Sequence, residues 1–229
     1  MKIYFNFILL LISFSTLASE SSVYDFSWLD KDKEVYVLQN RKFRKYGRLY
    51  FSVNGIKTLS GAFVDSYGAS GRVGYFFKED WGVEFLYSKY TGEENDTAKG
   101  VRAQSTVPFY RKMDTMMGGI IWWSPFYAKI NTFNSIFYYD WMFGLGVAQG
   151  QTQDNRNLFL PGNPSTLTTE AVTGGVWATS MRFHLDQAWS VRLDLTGFHY
   201  NGTKQVTAAQ KSTDLFSNYD FSVGLAFAF

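Results

Sequence analysis

The two histidines are the side chains with the most direct catalytic potential, because a hydrolase or acyltransferase site needs a nucleophile, a histidine base and a carboxylate. His184 lies near Ser180 and Asp186 in the sequence, and His199 could meet Ser217 across a neighbouring connection. Asp186 falls in a tight turn, however, and Ser180 stands nearly two pleats along a strand from His184. Because neither spacing is a recognised catalytic motif, we predict that the chain is not an enzyme.

Six charged residues occupy positions that would face the lumen if the strands formed a barrel with an apolar exterior. There are three of each sign: Arg72, Glu84, Asp140, Arg182, Arg192 and Asp194. An isolated charge inside a narrow barrel costs several kcal/mol, so charges there must be paired. Equal and opposite numbers therefore predict an ion-pair network that plugs the lumen. The alternative is a pore lined by charge, which needs a wider, water-filled lumen than eight strands usually provide.

Metal, cofactor and nucleic-acid binding find little support in the composition. The acidic residues Glu93, Glu94 and Asp96 could attract a hard cation such as calcium, but they form no ligand set with fixed spacing. The lack of cysteine excludes thiolate zinc sites and disulfides. A formal net charge of +2, without a large Lys/Arg cluster, excludes electrostatic binding of nucleic acid. We predict no metal, no cofactor and no nucleic-acid partner.

The dominant signal after Arg48 is alternation with a period of two residues, the period of a β-strand. From Tyr219 to Phe229 every odd position is large and apolar or aromatic, and every even position is small or polar. No apolar run after the N-terminus approaches the roughly 18 residues of a membrane helix, so insertion into a membrane has to be through strands. The pattern predicts eight strands, at residues 49–54, 67–77, 81–88, 113–123, 136–148, 171–183, 189–196 and 219–229.

The connections between these strands differ in length from one end of the barrel to the other. Residues 78–80 and 184–187 form tight turns. Three other connections are long and polar, at residues 91–112, 149–170 and 201–217. Short turns at one end and long loops at the other are typical of outer-membrane barrels. We predict an all-β fold, an eight-stranded antiparallel up-and-down transmembrane β-barrel over residues 46–229, with both mature termini in the periplasm.

Aromatic residues at the strand ends predict two girdles, one at each lipid–water interface. The predicted members at the short-turn end are Trp81, Trp122, Trp123, Trp189 and Phe229. Those at the long-loop end are Tyr67, Tyr90, Tyr200 and Tyr219. Outer-membrane lipids are therefore an expected partner, and the C-terminal strand ending at Phe229 is the segment through which we expect the barrel assembly machinery to bind.

The N-terminal residues have a different character from the barrel. Residues 1–18 carry Lys2, an apolar stretch and small residues around a cleavage point after Ala18, which predicts a signal peptide and export to the outer membrane. Residues 19–45 contain a mixed charge run and are predicted to form an N-terminal periplasmic segment outside the barrel. The basic residues at its end could lie beside anionic headgroups.

Three pieces of the chain carry a resemblance to a known family. They are residues 38–48 (LQNRKFRKYGR), the block 123–129 (WSPFYAK) with Phe133-Asn134 and Tyr139-Asp140, and Arg182-Phe183 with residues 189–194 (WSVRLD). In these pieces the chain resembles the small outer-membrane β-barrel domain proteins of Gram-negative predatory and gliding bacteria. The family pattern has glycine where this chain has Ala128, a departure that concerns only a tight turn there. Most members lack an assigned activity, so the resemblance implies fold and location rather than function.

Two functions therefore remain as hypotheses for this barrel. The first is a structural or surface-interaction role with a plugged lumen. The alternative is a passive conduit or a binding protein for small or hydrophobic solutes. The apolar tip Leu158, Phe159 and Leu160, in an otherwise polar connection, predicts contact with a surface partner, a lipid or a hydrophobic solute.

Overall fold

The computed structural model describes residues 41–132, 135–159, 167–207 and 210–229, with side chains described outside residues 205–211. The predicted signal peptide, most of the predicted N-terminal segment and Leu160 lie outside these residues. The described chain forms eight strands, β1 (Leu49–Thr58), β2 (Val64–Phe76), β3 (Trp81–Glu94), β4 (Arg111–Thr132), β5 (Ser135–Asp154), β6 (Thr168–His184), β7 (Trp189–Thr207) and β8 (Gln210–Ala228). One helix, α1 (Asp96–Ala103), follows β3, and a 3-10 turn (Arg156–Phe159) follows β5.

The eight strands form a closed antiparallel barrel in sequence order. The ring closes where Tyr50–Thr58 of β1 pairs with Asp220–Ala228 of β8. Closure leaves no free sheet edge within the ring, so the backbone polar groups are satisfied between strands, as a membrane interior requires. The predicted all-β fold of eight antiparallel strands is confirmed.

The two faces of the barrel follow the parity that the sequence predicts. Odd positions such as Val53, Phe85 and Leu145 point outward, with 55%, 55% and 71% of their surface exposed. Even positions such as Ser52 and Leu86 point inward and are fully buried. A continuous apolar exterior of this kind is suited to lipid rather than water, so the chain is a transmembrane β-barrel of the outer-membrane type. Among the described residues no helix is long and apolar enough to cross a bilayer.

The predicted girdles divide according to this parity. Six of the nine residues face outward near the strand ends, namely Trp81, Trp123, Trp189, Phe229, Tyr67 and Tyr219. The prediction is wrong for Trp122, Tyr90 and Tyr200, which lie inside the barrel and are 6% exposed or less. Successive residues of a strand point to opposite faces, so Trp122 cannot share the face of Trp123. Tyr90 and Tyr200 occupy even positions and turn inward for the same reason.

At the long-loop end, much of what the sequence predicts as loop is strand. Residues 201–207 and 210–217 extend β7 and β8, and Asn201 pairs with Leu215 and Thr203 with Thr213. The predicted connection 91–112 contains the end of β3 and the helix α1, whose N-cap Asn95 accepts a hydrogen bond from the Ala98 N–H (3.0 Å). The sequences of these segments are mostly polar, so the alternation that identifies a membrane strand is absent from them.

At the short-turn end, the β4–β5 hairpin extends beyond its neighbours. Pairing between β3 and β4 ends at Trp81 and Trp123. A register shift between Trp123 and Phe126 marks a bulge, after which β4 pairs only with β5. Ala128 lies opposite Tyr139 within this hairpin, so the strand continues where the family pattern has glycine.

Candidate functional site

The centre of the lumen holds four charged side chains that form one connected group. We call Arg72, Glu84, Arg192 and Asp194 the lumen charge cluster. Arg192 donates from Nη1 to Glu84 Oε2 (2.6 Å) and from Nη2 to Asp194 Oδ1 (3.2 Å). Arg72 Nη1 lies 3.3 Å from Glu84 Oε1 and 3.4 Å from Asp194 Oδ2. Each guanidinium thus contacts both carboxylates, and the net charge of the cluster is zero.

The strands that carry this cluster place it across the full width of the barrel. Glu84 is on β3 and Arg192 is on β7, four strands apart in either direction around the ring. Their side chains have 0% exposure, and that of Arg72 has 4%. Because the pair joins opposite walls, an ion moving along the barrel axis would have to separate Glu84 from Arg192.

Neighbouring side chains hold the cluster in position. The hydroxyl of Tyr50 donates a hydrogen bond to Glu84, and Ser52 Oγ accepts one from Arg192 Nη1 (3.4 Å). Tyr50 needs the space above Gly74, because a Cβ at Gly74 would lie 2.3 Å from the Tyr50 ring. The guanidinium carbon of Arg192 also lies 5.8 Å from the centre of the Trp122 ring. The cluster is therefore packed as well as paired.

Apolar side chains fill much of the rest of the lumen. Those from β3 to β7 that are buried to 3% or less include Leu86, Met116, Ile120, Trp122, Met142, Val176 and Phe198. Charged and apolar side chains together thus occupy the interior, as expected for eight strands.

Asp140 and Arg182 lie in the lumen but outside the cluster, in contrast to the prediction of a single six-residue network. Asp140 and Arg182 are cross-strand neighbours. Asp140, however, binds Lys45 Nζ through Oδ1 (2.6 Å) and His184 Nε2 through Oδ2 (2.7 Å). Arg182 instead stacks 4.2 Å from the ring centre of Tyr50, and its Nε and Nη2 atoms have no hydrogen-bond partner among the described residues. The prediction of an ion pair for Arg182 is wrong, because other side chains occupy its nearest carboxylate.

The segment Arg41–Arg48, which we call the strap, closes the barrel at the short-turn end. Lys45 is 3% exposed, and its Nζ donates to Ser124 Oγ (2.6 Å) as well as to Asp140. Burial lowers the pKa of Lys45 from its ordinary value, although the charge of Asp140 opposes this effect. The Phe43 ring stacks on His184 with a centroid distance of 4.7 Å. Lys45 is therefore inside the barrel mouth and not beside the headgroups.

The strap is difficult to predict from the sequence, because its residues belong to no helix or strand. The only signal is that the residues that reach the barrel mouth, Arg41, Phe43 and Lys45, alternate along the chain. Arg41 forms an ion pair with Asp80 (3.0 Å), and the Lys45 N–H donates to Glu79 (3.1 Å). The cavity that remains beside the strap has a volume of about 20 Å³, enough for about one water molecule.

A second ionic group, which we call the rim cluster, joins four strands at the long-loop end. Arg111 Nη2 lies 2.9 Å from Asp154 Oδ2 and 2.8 Å from Glu170 Oε2. Glu170 also accepts hydrogen bonds from Thr203, and Arg156 lies 3.2 Å from Asp154. These contacts bridge β6 and β7 above the point where their pairing ends, at Gly174 and Tyr200. The sequence prediction missed the cluster because Arg111, Asp154 and Glu170 fall in segments predicted as loops.

The histidines do not activate a nucleophile in this arrangement. Trp177 Nε1 donates to His199 Nε2 (3.0 Å), so the proton of the neutral ring resides on Nδ1. Nδ1 then donates to Ser217 Oγ (2.8 Å), which is the reverse of the transfer that a general base performs. His184 binds Asp140 instead of Ser180.

The other predicted contacts are occupied by local interactions. The Asp186 carboxylate accepts the N–H groups of Trp189 and Ala188 in the turn, and these hydrogen bonds lower its pKa. In the acidic run, Glu94 pairs with Arg102 and Asp96 pairs with Lys99. Within the described ranges no group of three or more His, Cys, Asp or Glu side chains is arranged to hold a metal ion.

Of the predicted apolar loop tip, only Leu158 and Phe159 lie within the described residues. Leu158 and Phe159 lie in the 3-10 turn and are half-buried. The Phe159 ring is 6.5 Å from that of Phe109. This short turn belongs to the long-loop end, on the same side of the barrel as the rim cluster.

Comparison with known proteins finds similarity in solved structures alone. No family model matches the chain, and no curated protein matches it. The N-terminal β-barrel domain of Pseudomonas aeruginosa OprF aligns with a TM-score of 0.48 at 13% identity, covering 80% of this chain and 98% of that one. Neisserial surface protein A aligns with a TM-score of 0.47 at 13% identity, covering 80% and 99%. The outer membrane protein OprG of P. aeruginosa gives 0.47 at 11% identity, covering 82% and 98%. At such identities the likeness concerns the barrel alone.

Proposed function

We propose that the chain is a non-enzymatic outer-membrane β-barrel with a structural or surface-interaction role and a lumen plugged by ion pairs. The observation that carries the proposal is the Glu84–Arg192 pair, which joins opposite walls of the barrel at 2.6 Å. Separating this pair to admit an ion would leave Glu84 with Arg72, and Arg192 with Asp194, as remaining partners of opposite charge. Breaking a buried ion pair is strongly destabilising, by roughly 3–5 kcal/mol when one partner is removed from a dry site. The passive conduit is the competing function, and it requires that separation.

The strap and the rim cluster support the same proposal at the two ends of the lumen. At the short-turn end Lys45 closes the mouth by binding Asp140 and Ser124. At the long-loop end Arg111 ties Asp154 and Glu170 together. We assign the short-turn end to the periplasm and the long-loop end to the exterior, as is usual for such barrels.

The partners we propose follow from this orientation. Outer-membrane lipids contact the apolar exterior, and the barrel assembly machinery recognises β8, which carries outward-facing Phe221, Val223 and Leu225. A surface partner would meet the long-loop end, where α1, the β7–β8 hairpin and the turn with Leu158 and Phe159 project.

We further propose kinship with the small outer-membrane barrels of predatory and gliding bacteria. Two of the segments that carry the resemblance contact each other in this chain. Lys45 of the strap binds Ser124, and the Phe43 N–H donates to the Tyr127 hydroxyl (3.4 Å). A shared contact between the segments is a physical reason for them to occur together in one sequence.

A solute-release assay tests the proposed function. Purified full-length protein is refolded into liposomes loaded with a small fluorescent anion or cation, and dye release is compared with that from protein-free liposomes. The proposal predicts equal, slow release for both dyes. Rapid release of either dye by the unmodified protein would favour the conduit.

A further inference from the structure

A cavity of about 210 Å³ opens at the long-loop end, above the filled lumen, and we call it the cup. Its lining includes the polar residues Thr58 and Asn218. It also includes apolar and aromatic residues, namely Val64, Phe109, Met113, Tyr200 and Phe216. The cup therefore offers contacts both to an apolar body and to polar groups.

The aromatic part of the lining belongs to a row of rings. Phe198 and Tyr200 stack with centroids 4.9 Å apart, and Tyr200 and Phe216 stack at 5.9 Å with an interplanar angle of 18°. Phe198 is fully buried, Tyr200 is 6% exposed and Phe216 is half-buried, so the row rises from the lumen to the cup. The Arg111 guanidinium carbon lies 4.6 Å from the centre of the Phe216 ring, so a flat aromatic ligand would meet Tyr200 and Phe216 beside this cation.

Two cationic side chains line the cup, and they differ in their partners. Arg111 is neutralised by Asp154 and Glu170. Lys112 donates from Nζ to the Gly92 carbonyl oxygen (3.2 Å), and no carboxylate of the described residues lies within ion-pair distance of it. An ammonium group has three donors, so Lys112 retains hydrogen-bonding capacity for an anion.

The end of the β3–β4 ladder explains how Lys112 reaches the cup. Pairing stops at Lys89 and Thr115, so the first residues of β4 separate from β3. The Lys112 side chain crosses this gap and passes Gly92, where a Cβ would already contact the Lys112 Cδ at 3.4 Å. Lys112 is thus a cation built into the wall of the cup.

We propose that the cup binds a small amphiphile with one flat aromatic ring and one carboxylate. The ring packs against Tyr200 and Phe216, and the carboxylate accepts hydrogen bonds from Lys112. The volume is appropriate, because an apolar cavity of about 150 Å³ is sufficient for benzene. This inference does not depend on the proposed function, since a plugged barrel and a conduit can both carry a site at their outer mouth.

Methionine methyl groups provide a direct test with the full-length protein in zwitterionic lipid nanodiscs. Met113 lies in the cup, Met117 faces lipid and Met142 is buried lower in the lumen. The probes are hydrocinnamate and its neutral amide, which differ in the charge that Lys112 would bind. We expect hydrocinnamate to shift the Met113 methyl resonance saturably with a Kd of about 0.1–1 mM, as ligand efficiency suggests for so small a molecule. Met117 and Met142 should not shift.

Charge recognition is tested by comparing ligands and variants. The amide should bind wild-type protein about tenfold more weakly than hydrocinnamate, which is the effect of losing one charge-assisted hydrogen bond. Lys112→Met should weaken hydrocinnamate binding about tenfold and leave the amide unaffected. The matched control is Lys99→Met, because Lys99 is an exposed lysine of α1 paired with Asp96, and it should have no effect.

Several results would overturn the proposal. Equal affinity of hydrocinnamate and its amide for the wild-type protein would show that Lys112 does not bind the carboxylate of the ligand. This comparison needs no variant. Parallel shifts of Met113 and Met117 would indicate partition of the probe into the bilayer. The absence of a saturable Met113 shift up to about 10 mM would show that the cup does not bind this class of ligand.

Discussion

Arg192 of β7 donates a hydrogen bond to Glu84 of β3 across the interior of the barrel, with 2.6 Å between Nη1 and Oε2 and no exposure of either side chain. The two strands lie on opposite sides of the eight-membered ring. Arg72 and Asp194 complete the group, so each charge has at least one partner of opposite sign. This relationship connects the fold to the proposed function, since the proposed plug depends on it.

Neutralising Glu84 is expected to destabilise the barrel strongly. Glu84→Gln leaves Arg72 and Arg192 with a single carboxylate, and breaking such a buried pair costs roughly 3–5 kcal/mol. Urea unfolding of the refolded protein, followed by heat-modifiable gel migration, measures the change. Glu93→Gln is the control, because Glu93 is exposed on the same strand and should change stability by less than about 0.5 kcal/mol. Equal effects of the two changes would contradict a dry, paired cluster.

Gly74 is expected to tolerate no side chain. In Gly74→Ala the new Cβ would meet the ring of Tyr50, which is 1% exposed and bound to Glu84, so overpacking should cost about 1–3 kcal/mol. Gly71→Ala on the same strand is the control, since a Cβ there has no atom within 4 Å. The same unfolding measurement applies, and a Gly74→Ala variant as stable as Gly71→Ala would mean that Tyr50 is free to move.

The strap is expected to detach when Lys45 loses its charge. Lys45→Met removes the bonds to Asp140 and Ser124, while the barrel strands keep their pairing. Hydrogen exchange of the Gly47 N–H, which is bonded to the Phe76 carbonyl oxygen at 2.8 Å, should become faster. Lys42→Met is the control, because Lys42 is exposed and its side chain contacts the rings of Phe43 and Tyr138. Unchanged exchange in Lys45→Met would show that other contacts hold the strap.

The two faces of β7 are expected to respond oppositely to substitution. Leu193 is on the lipid face, so Leu193→Arg should cost on the order of 2–4 kcal/mol if it lies near the midplane. Thr196 faces the lumen, and no described residue forms a hydrogen bond with its hydroxyl, so Thr196→Ser should change stability by less than about 0.5 kcal/mol. Similar losses at both positions would mean that the assigned faces are wrong.

The barrel could be predicted from the sequence because lipid and lumen impose opposite demands on successive residues. That constraint ends where the strands leave the membrane. Residues 201–207 and 210–217 therefore have no alternation, and the sequence predicts a loop there. The same parity places Trp122, Tyr90 and Tyr200 inside the barrel. The girdle prediction is wrong for them because it used their nearness to strand ends and not their parity.

The lumen was predictable in composition but not in pairing. Equal numbers of opposite charges on one face follow from the cost of burying an unpaired charge. Which charges meet depends on the stagger of the strands, which the sequence does not encode locally. Lys45, which belongs to the strap and not to a strand, binds Asp140, and Arg182 stacks on Tyr50. No periodicity relates the strap to the strands, so this exchange could not be anticipated.

The most direct test of the closed lumen is single-channel conductance in planar bilayers. Full-length protein, shown to be folded by heat-modifiable migration, is inserted at low density, and current is recorded at both polarities for the unmodified chain. The account predicts no steady current above the bare bilayer, because Glu84 and Arg192 remain joined across the barrel. A steady, ion-selective current through the unmodified protein would contradict the plug and establish the conduit.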